Sequence, residues 1–295
     1  AYRTATRAVA GIWQLAQAGS APPTKLNGPV GPDRRVSLFE VPRAQVRAAR
    51  PPGGTDNDVI LTAVGAALQA WLGSDAPAHL RAVVPVSTRS RRHDEPGSWT
   101  ATLNVDIPVG PMTPADRLGA VAAASARAKR SDQARGSKLV MDAVGTLAPP
   151  FLHARFARFS YRGTWFNLIV STVPGPRGPR YLAGSRVDAA YPIIPLAVGV
   201  GLTVGAVHWD DRLTFGLTAD PGQVEHLEDI AAGMRACIES LASGGAGPAG
   251  SEAVRAVGAD RPSPTPARAA PQGRRAMAPR RPAPGAGTRR ATRRR

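Results

Sequence analysis

Between Asp188 and Asp210 lie 21 residues that carry no formal charge when His208 is neutral. A run of that length is long enough to cross a bilayer as a helix. Its content decides against one. Pro192, Pro195, Gly199, Gly201 and Gly205 interrupt it, and proline removes a helical hydrogen bond while clashing with the preceding turn. From Val200 the chain alternates: Val200, Leu202, Val204 and Ala206 fall on one side, Gly201, Thr203, Gly205 and Val207 on the other. That is the period of a strand. After Trp209-Asp210-Asp211 the alternation resumes, with Leu213, Phe215 and Leu217 set against Thr214, Gly216 and Thr218. The segment reads as a β-hairpin with one face of large apolar residues and one of small residues. The small face is open to close approach by a helix or by a ligand in a substrate channel.

A sheet needs helices or a second sheet to cover its apolar face, and the rest of the chain supplies helices. Val59, Ile60, Ala63, Val64, Ala67, Leu68, Trp71 and Leu72 form a wide helical stripe, with Asn57 or Asp58 placed to cap its start. Pro42–Arg50 reads as a short helix and Pro114–Lys129 as a longer one, with helical segments continuing through Leu152. Val224, Leu227, Ala231, Met234, Ile238 and Leu241 mark a last helix, for which Asp220 and Pro221 read as cap and first residue. Cys237 lies beside that stripe and reads as core. Strands are expected at Arg35–Val41, Leu80–Val86, Trp99–Ile107, Asn167–Val173 and Ser185–Ala190. The fold class is α/β, a mixed sheet packed by helices.

The chain carries 38 Lys+Arg against 21 Asp+Glu, a net charge of +17. Residues 244–295 hold 12 Arg, eight Pro and eight Gly against two acidic residues, Glu252 and Asp260. No apolar period runs through them, so they read as a disordered tail. No aromatic residue is interleaved with the arginines, which argues against single-strand nucleic-acid binding. A single cysteine excludes an internal disulfide framework and multi-Cys metal sites, and suits a reducing, cytoplasmic setting. Tyr2–Gln17 reads as an amphipathic helix. The organisation expected is 1–20 as an N-terminal helix or remnant of a preceding subdomain, 21–243 as the folded body, and 244–295 as the tail. Ala1 rather than Met opens the chain, which suggests a processed protein or a piece of a longer one.

The chemistry visible from residues alone is sparse. There is no phosphate loop, dinucleotide fingerprint, His-Glu-x-x-His or nucleophile elbow. Among the five histidines, His93 has only charged loop neighbours. His208 with Asp210 and Asp211 forms a thin candidate for a metal site, because near-consecutive residues around a turn rarely converge on one ion. No cofactor and no metal is expected.

An ordered series of motifs resembles a known family. Leu26-Asn27-Gly28-Pro29-Val30-Gly31-Pro32, Asn57-Asp58-Val59-Ile60-Leu61 and Val84-Pro85-Val86-Ser87-Thr88-Arg89 are followed by Asn167-Leu168-Ile169-Val170-Ser171-Thr172-Val173-Pro174-Gly175-Pro176 and Tyr181-Leu182-Ala183-Gly184. Together, over about Ala21 to Leu241, they are similar to the bacterial wax ester synthase/diacylglycerol acyltransferase family, and the body resembles the C-terminal subdomain of CoA-dependent acyltransferases. The resemblance implies an acyl-CoA-dependent O-acyltransferase of neutral-lipid synthesis. Its substrates would be acyl-CoA with diacylglycerol or a long-chain alcohol, at the inner membrane or a lipid-droplet surface. The family's base is the second His of His-His-x-x-x-Asp-Gly, a motif absent from these 295 residues, so no catalytic residue is assigned within them and the chain alone is expected to be inactive. The resemblance places Asn57, Asp58, Arg89, Ser171, Pro174 and Gly175 around the active centre or its tunnel. Each has a plainer reading: a helix cap for Asn57 and Asp58, a solvated loop charge for Arg89, a turn hydrogen bond for Ser171. The chain has Ser171-Thr172 where the family favours Ser-Asn, and Gly97-Ser98 where it favours Gly-Asn. Two other readings stay open: a non-catalytic module that binds acyl chains or a membrane surface, and a degenerate fragment.

Overall fold

The computed structural model describes residues 19–87, 100–130, 164–176 and 178–244. The expectations for Tyr2–Gln17, Arg89, His93, the helical segments to Leu152 and the Arg-rich tail lie outside these residues.

Six strands form one mixed sheet: β1 (Arg35–Pro42), β2 (His79–Ser87), β3 (Thr100–Pro108), β4 (Leu168–Val173), and, after a small separate hairpin of β5 (Arg180–Leu182) and β6 (Ser185–Val187), β7 (Leu202–Trp209) and β8 (Arg212–Ala219). Their order is β1-β8-β7-β4-β2-β3. β2 pairs with β4 and β4 with β7 in parallel, while β1–β8, β7–β8 and β2–β3 are antiparallel. Four strands, β1, β7, β4 and β2, therefore run the same way and end at one edge of the sheet. Among the described residues the α-helices are α1 (Arg43–Ala48), α2 (Asp56–Leu72), α3 (Pro114–Arg130) and α4 (Leu227–Ala242).

The alternation read from Val200 onward sets the two faces. Leu202, Val204, Ala206, Leu213, Phe215 and Leu217 join one core with Val59, Ile60, Ala63 and Leu68 of α2 and Ile230, Met234 and Ile238 of α4. Small residues let the layers close up. A Cβ on Gly65 of α2 would lie 2.7 Å from Ile107 Cγ2, and one on Gly233 of α4 would lie 3.2 Å from Ala67 Cβ. Buried Arg117 of α3 donates to the carbonyl oxygens of Pro108 and Gly110 and to Gln69 Oε1, while its Nε is enclosed without a partner; burial pulls its pKa down.

The small face of the hairpin is covered by neither a helix nor a vacant channel. The chain between β6 and β7 crosses it as an extended strap. Thr203 Oγ1 donates to the Ile194 carbonyl at 2.8 Å and Thr214 Oγ1 to the Ala190 carbonyl at 2.6 Å. A Cβ on Gly216 would lie 1.9 Å from the Pro192 oxygen, and one on Gly205 2.8 Å from Pro192 Cγ. The strap fills the space that a helix or a substrate channel was expected to use. It also shortens the strand expected over Ser185–Ala190 to Ser185–Val187, because Ala190 already belongs to the strap.

The last helix begins at Leu227, not at Pro221. Asp220 serves a different purpose. Its carboxylate accepts the Gly31 N–H at 2.7 Å and the Gly222 N–H at 2.9 Å, sewing the N-terminal arm to the end of β8. The Gly31 hydrogen bond, then that of Gly222, hold its pKa below the ordinary aspartate value. The arm is fixed again at its middle. Asn167, fully buried, donates to Asn27 Oδ1 at 2.7 Å and to the Pro22 carbonyl at 2.8 Å, and accepts the Arg81 N–H at 2.8 Å. Cys237 is buried in the core, and burial pushes its thiol up to about 11, in keeping with its reading as a packed residue.

Candidate functional site

The edge where β1, β7, β4 and β2 end is where α1 and α2 begin. Open α/β sheets place their ligands outside the carboxyl ends of parallel strands. Parity decides which side chains of β4 and β7 reach the helix layer there. Leu168 and Val170 are buried against it, so Thr172 points the same way. Leu202, Val204 and Ala206 do likewise on β7, which puts His208 on that side.

Three consecutive residues of α2 meet these strand ends, each with a different task. Asp58 completes a capping box: its Oδ2 accepts both the N–H and the hydroxyl of Thr55, each at 2.8 Å. Thr55 is therefore the cap; Asn57 and Asp58 lie inside the first turn, not before it as the sequence suggested. The other oxygen of Asp58 is buried without a partner. Asn57 Oδ1 accepts the Thr172 hydroxyl at 3.2 Å, leaving its amide N–H group uncommitted among the described residues. Asp56 is buried, its Oδ1 held by Arg50 Nε at 2.5 Å and its Oδ2 3.5 Å from His208 Nε2. His208 is half-buried with Nδ1 enclosed and unpartnered. Burial is the main cause that lowers its pKa; Asp56 opposes, and Arg43, Arg50 and Arg47 reinforce.

The loop after β4 closes the site from the strand side. A Cβ on Gly175 would stand 1.4 Å from the His208 carbonyl oxygen, so only glycine lets Pro174-Gly175-Pro176 lie against the end of β7.

Of the residues singled out in the sequence, Asn57, Asp58 and the Pro174-Gly175 loop come together at this edge. Ser171 does not. It shares the parity of Ile169 and faces away from α2, and its neighbour Thr172 makes the contact with Asn57. Asp56, Thr172 and His208 are the residues that sequence reading missed in these roles. The alternation of β4 and β7 carries the signal for Thr172 and His208; nothing local marked Asp56. The trio considered for a metal also separates: His208 faces Asp56, Asp210 Oδ2 lies 3.5 Å from Arg186, and Asp211 lies 3.6 Å from Arg212 Nε. Among the described residues no helix is long and apolar enough to cross a membrane.

Comparison with known proteins gives a consistent answer. Residues 97–242 match the WS/DGAT C-terminal domain. The chain is 30% identical over 231 residues to "Putative diacyglycerol O-acyltransferase Rv1760" of Mycobacterium tuberculosis, covering 75% of this chain and 46% of that protein. It is 33% identical over 223 residues to "Putative diacyglycerol O-acyltransferase Rv0895" of the same species, covering 70% and 44%. The chain thus spans about half the length of these relatives. Among solved structures it resembles the wax ester synthase/diacylglycerol acyltransferase from Marinobacter aquaeolei VT8, with a TM-score of 0.56 and 20% identity over 83% of this chain and 58% of that one. It also resembles the starter condensation domain of rhizomide synthetase RzmA, with a TM-score of 0.51 and 18% identity over 85% and 55%. Both likenesses concern the fold, that of CoA-dependent acyltransferases. With five motifs in order, this sheet and this match, the chain belongs to the WS/DGAT C-terminal domain family, whose domain it carries over residues 97–242.

Proposed function

We propose that this chain is the C-terminal part of an acyl-CoA-dependent O-acyltransferase that makes triacylglycerol from diacylglycerol, or wax ester from a long-chain alcohol. The relatives' names support the substrate class. The observation that carries the reading is the junction of Asn57 with Thr172 at the carboxyl ends of the parallel strands. An uncommitted amide donor there, held on a capped helix, suits a polar group that must keep one orientation while a thioester carbonyl reacts. Asp58 positions Asn57 by locking the first turn of α2. Gly175 lets the loop close without displacing β7.

The transfer needs a base to take the alcohol proton as the oxygen attacks the acyl carbon and CoA leaves as thiolate. His-His-x-x-x-Asp-Gly is not found in these 295 residues. In this proposal the base comes from an N-terminal half of the kind that makes the relatives about twice as long. The work site is a cytoplasmic lipid surface, where the acceptor alcohol resides.

The test is an assay with labelled acyl-CoA and diacylglycerol or hexadecanol. It is run on the 295-residue chain and on the same chain joined behind the N-terminal half of a relative that carries the motif. Turnover by the joined protein, and background from the chain alone, supports the proposal. Robust turnover by the chain alone overturns the assignment of the base. Failure of the joined protein, once shown to be folded, overturns the acyltransferase reading.

A further inference from the structure

α1 carries a second feature at the same edge that the acyl-transfer reading does not use. Arg43 and Arg47 stand one helical turn apart, on neighbouring positions of one helix face, and Arg50 follows just past the helix end. Arg50 is linked to His208 through Asp56, and the backbone of Arg43 is tied to the turn that follows β7. Three carboxylates nearby, those of Asp56, Glu40 and Asp211, already face other groups. Asp56 is held by Arg50 and faced by His208. Glu40 is taken by Arg212 at 3.0 and 3.2 Å and by Tyr191 at 3.2 Å. Asp211 accepts the Arg43 N–H at 2.8 Å through its backbone oxygen, while its carboxylate lies nearest Arg212.

Among the described residues, neither Arg43 nor Arg47 has an ion-pair partner. Arg43 is half-buried and its Nε is enclosed with no acceptor. Arg47 and Arg50 are exposed and Arg43 is half-buried, and of the three only Arg50 is engaged by a carboxylate, that of Asp56, so net positive charge stands at this edge. An enclosed donor without an acceptor is costly, and an anion beside Arg43 would supply one. Guanidinium groups match phosphate oxygens in two-point geometry.

We propose that Arg43, Arg47 and Arg50, grouped about His208, form a binding site for a dianionic phosphate, occupied by a phosphate group of the acyl-CoA. The occupant rests on the acyltransferase reading above; the phosphate chemistry does not. The site borders Asn57 and Asp58 through Asp56, so a thioester donor anchored here keeps its charged end at the edge where the acyl group reacts. A phospholipid headgroup offers the same chemistry, and the experiment separates the two.

The 295-residue chain is titrated with CoA, palmitoyl-CoA, 3′-dephospho-CoA and inorganic diphosphate by calorimetry, while the His208 imidazole is followed by NMR. Phosphatidic acid vesicles, with phosphatidylcholine vesicles as the control, are tested by co-sedimentation. An anion among the arginines favours the charged imidazole, so its pKa rises on saturation, by about 1 unit. Arg43→Ala and Arg47→Ala each weaken CoA or diphosphate binding about 10-fold, lysine at both positions restores part of the affinity, and Arg180→Ala, on the separate hairpin, leaves it unchanged. Circular dichroism checks that each variant folds. Palmitoyl-CoA binding that ignores Arg43 and Arg47 overturns the site and leaves the acyltransferase reading standing. Arginine-dependent binding of diphosphate, with palmitoyl-CoA no tighter, supports the phosphate site and counts against the acyltransferase reading. Arginine-dependent binding of phosphatidic acid vesicles without CoA binding overturns the assigned occupant in favour of a lipid headgroup. A His208 pKa that no phosphate probe moves overturns the proposal.

Discussion

Gly175→Ala tests how the strand ends and the loop are locked together. The added Cβ falls 1.4 Å from the His208 carbonyl oxygen, where ordinary contact is about 3.4 Å. One of the two must move by about 2 Å. His208 cannot easily yield, because β7 is paired on both sides: Val207 faces Val173 of β4, and His208 faces Leu213 of β8. The loop therefore moves, and its root is Thr172, three residues earlier. Overpacking of this kind costs about 1–3 kcal/mol, and losing the 3.2 Å bond from Thr172 to Asn57 adds about 1 kcal/mol. At about 2–4 °C per kcal/mol for a domain of this size, the melting temperature should fall by roughly 4–16 °C in a thermal denaturation followed by circular dichroism. Gly178→Ala is the control. Its φ is +80° but nothing lies within 4 Å of the new Cβ, so it costs only the backbone strain, about 1–2 kcal/mol. Gly175→Ala with a melting temperature within about 1 °C of wild type would refute the crowding argument.

Asp220→Asn should destabilise the chain at pH 7 and flatten its acid response. Asp220 has a depressed pKa in the fold, so its contribution is present above the unfolded value of about 3.9 and is lost as pH falls through the folded value; urea unfolding at pH 7 and pH 3 reads the difference. Cys237, with its thiol at about 11, should resist a thiol reagent at pH 8 in the native chain and react fully in denaturant; rapid native labelling would contradict its burial. In the joined protein, Asn57→Ala should lower kcat by about 10-fold or more while costing about 1 kcal/mol of stability; an equal loss in KM alone would reduce Asn57 to a packing residue. Asp58→Ala should lower both activity and melting temperature, since it removes the capping box, worth about 1 kcal/mol.

The strands and helices were legible because each has a period that its neighbours do not share. The alternation through Val200–Thr218 gave both hairpin strands and their faces, and the stripe from Val59 to Leu72 gave α2 nearly to its ends. What covered the small face was not legible. Gly205, Gly216, Thr203 and Thr214 announce close approach, yet a helix, a ligand and a strap all ask for the same small side chains. The answer lay in Ala190, Pro192 and Ile194, whose contacts are mostly carbonyl oxygens and a ring edge, and no side-chain period encodes those. The start of α4 failed for a related reason. Asp-Pro is a good helix opening in isolation, but Asp220 gains more from two backbone N–H groups, one of them 189 residues away in sequence, than from capping a helix.

The site shows the same division. Asn57, Asp58 and the Pro174-Gly175 loop were found because their motifs stand out, and the fold brings them to one edge. Ser171 was chosen over Thr172 because Ser resembles the family residue, whereas the geometry depends on parity alone. In a strand whose Leu168 and Val170 are buried under α2, position 172 must face Asn57 and position 171 cannot. Thr172 supplies a single hydroxyl where an asparagine would offer a donor and an acceptor, and a hydroxyl is enough to donate to Asn57 Oδ1. The Asn57 amide N–H group then stays uncommitted among the described residues. An asparagine at 172, longer and with two polar ends, would engage more of Asn57 than its oxygen. Thr172→Asn in the joined protein should therefore change kcat more than stability. Steady-state kinetics beside a melting curve measures both, and an unchanged kcat would mean that the Asn57 donors take no part in the reaction.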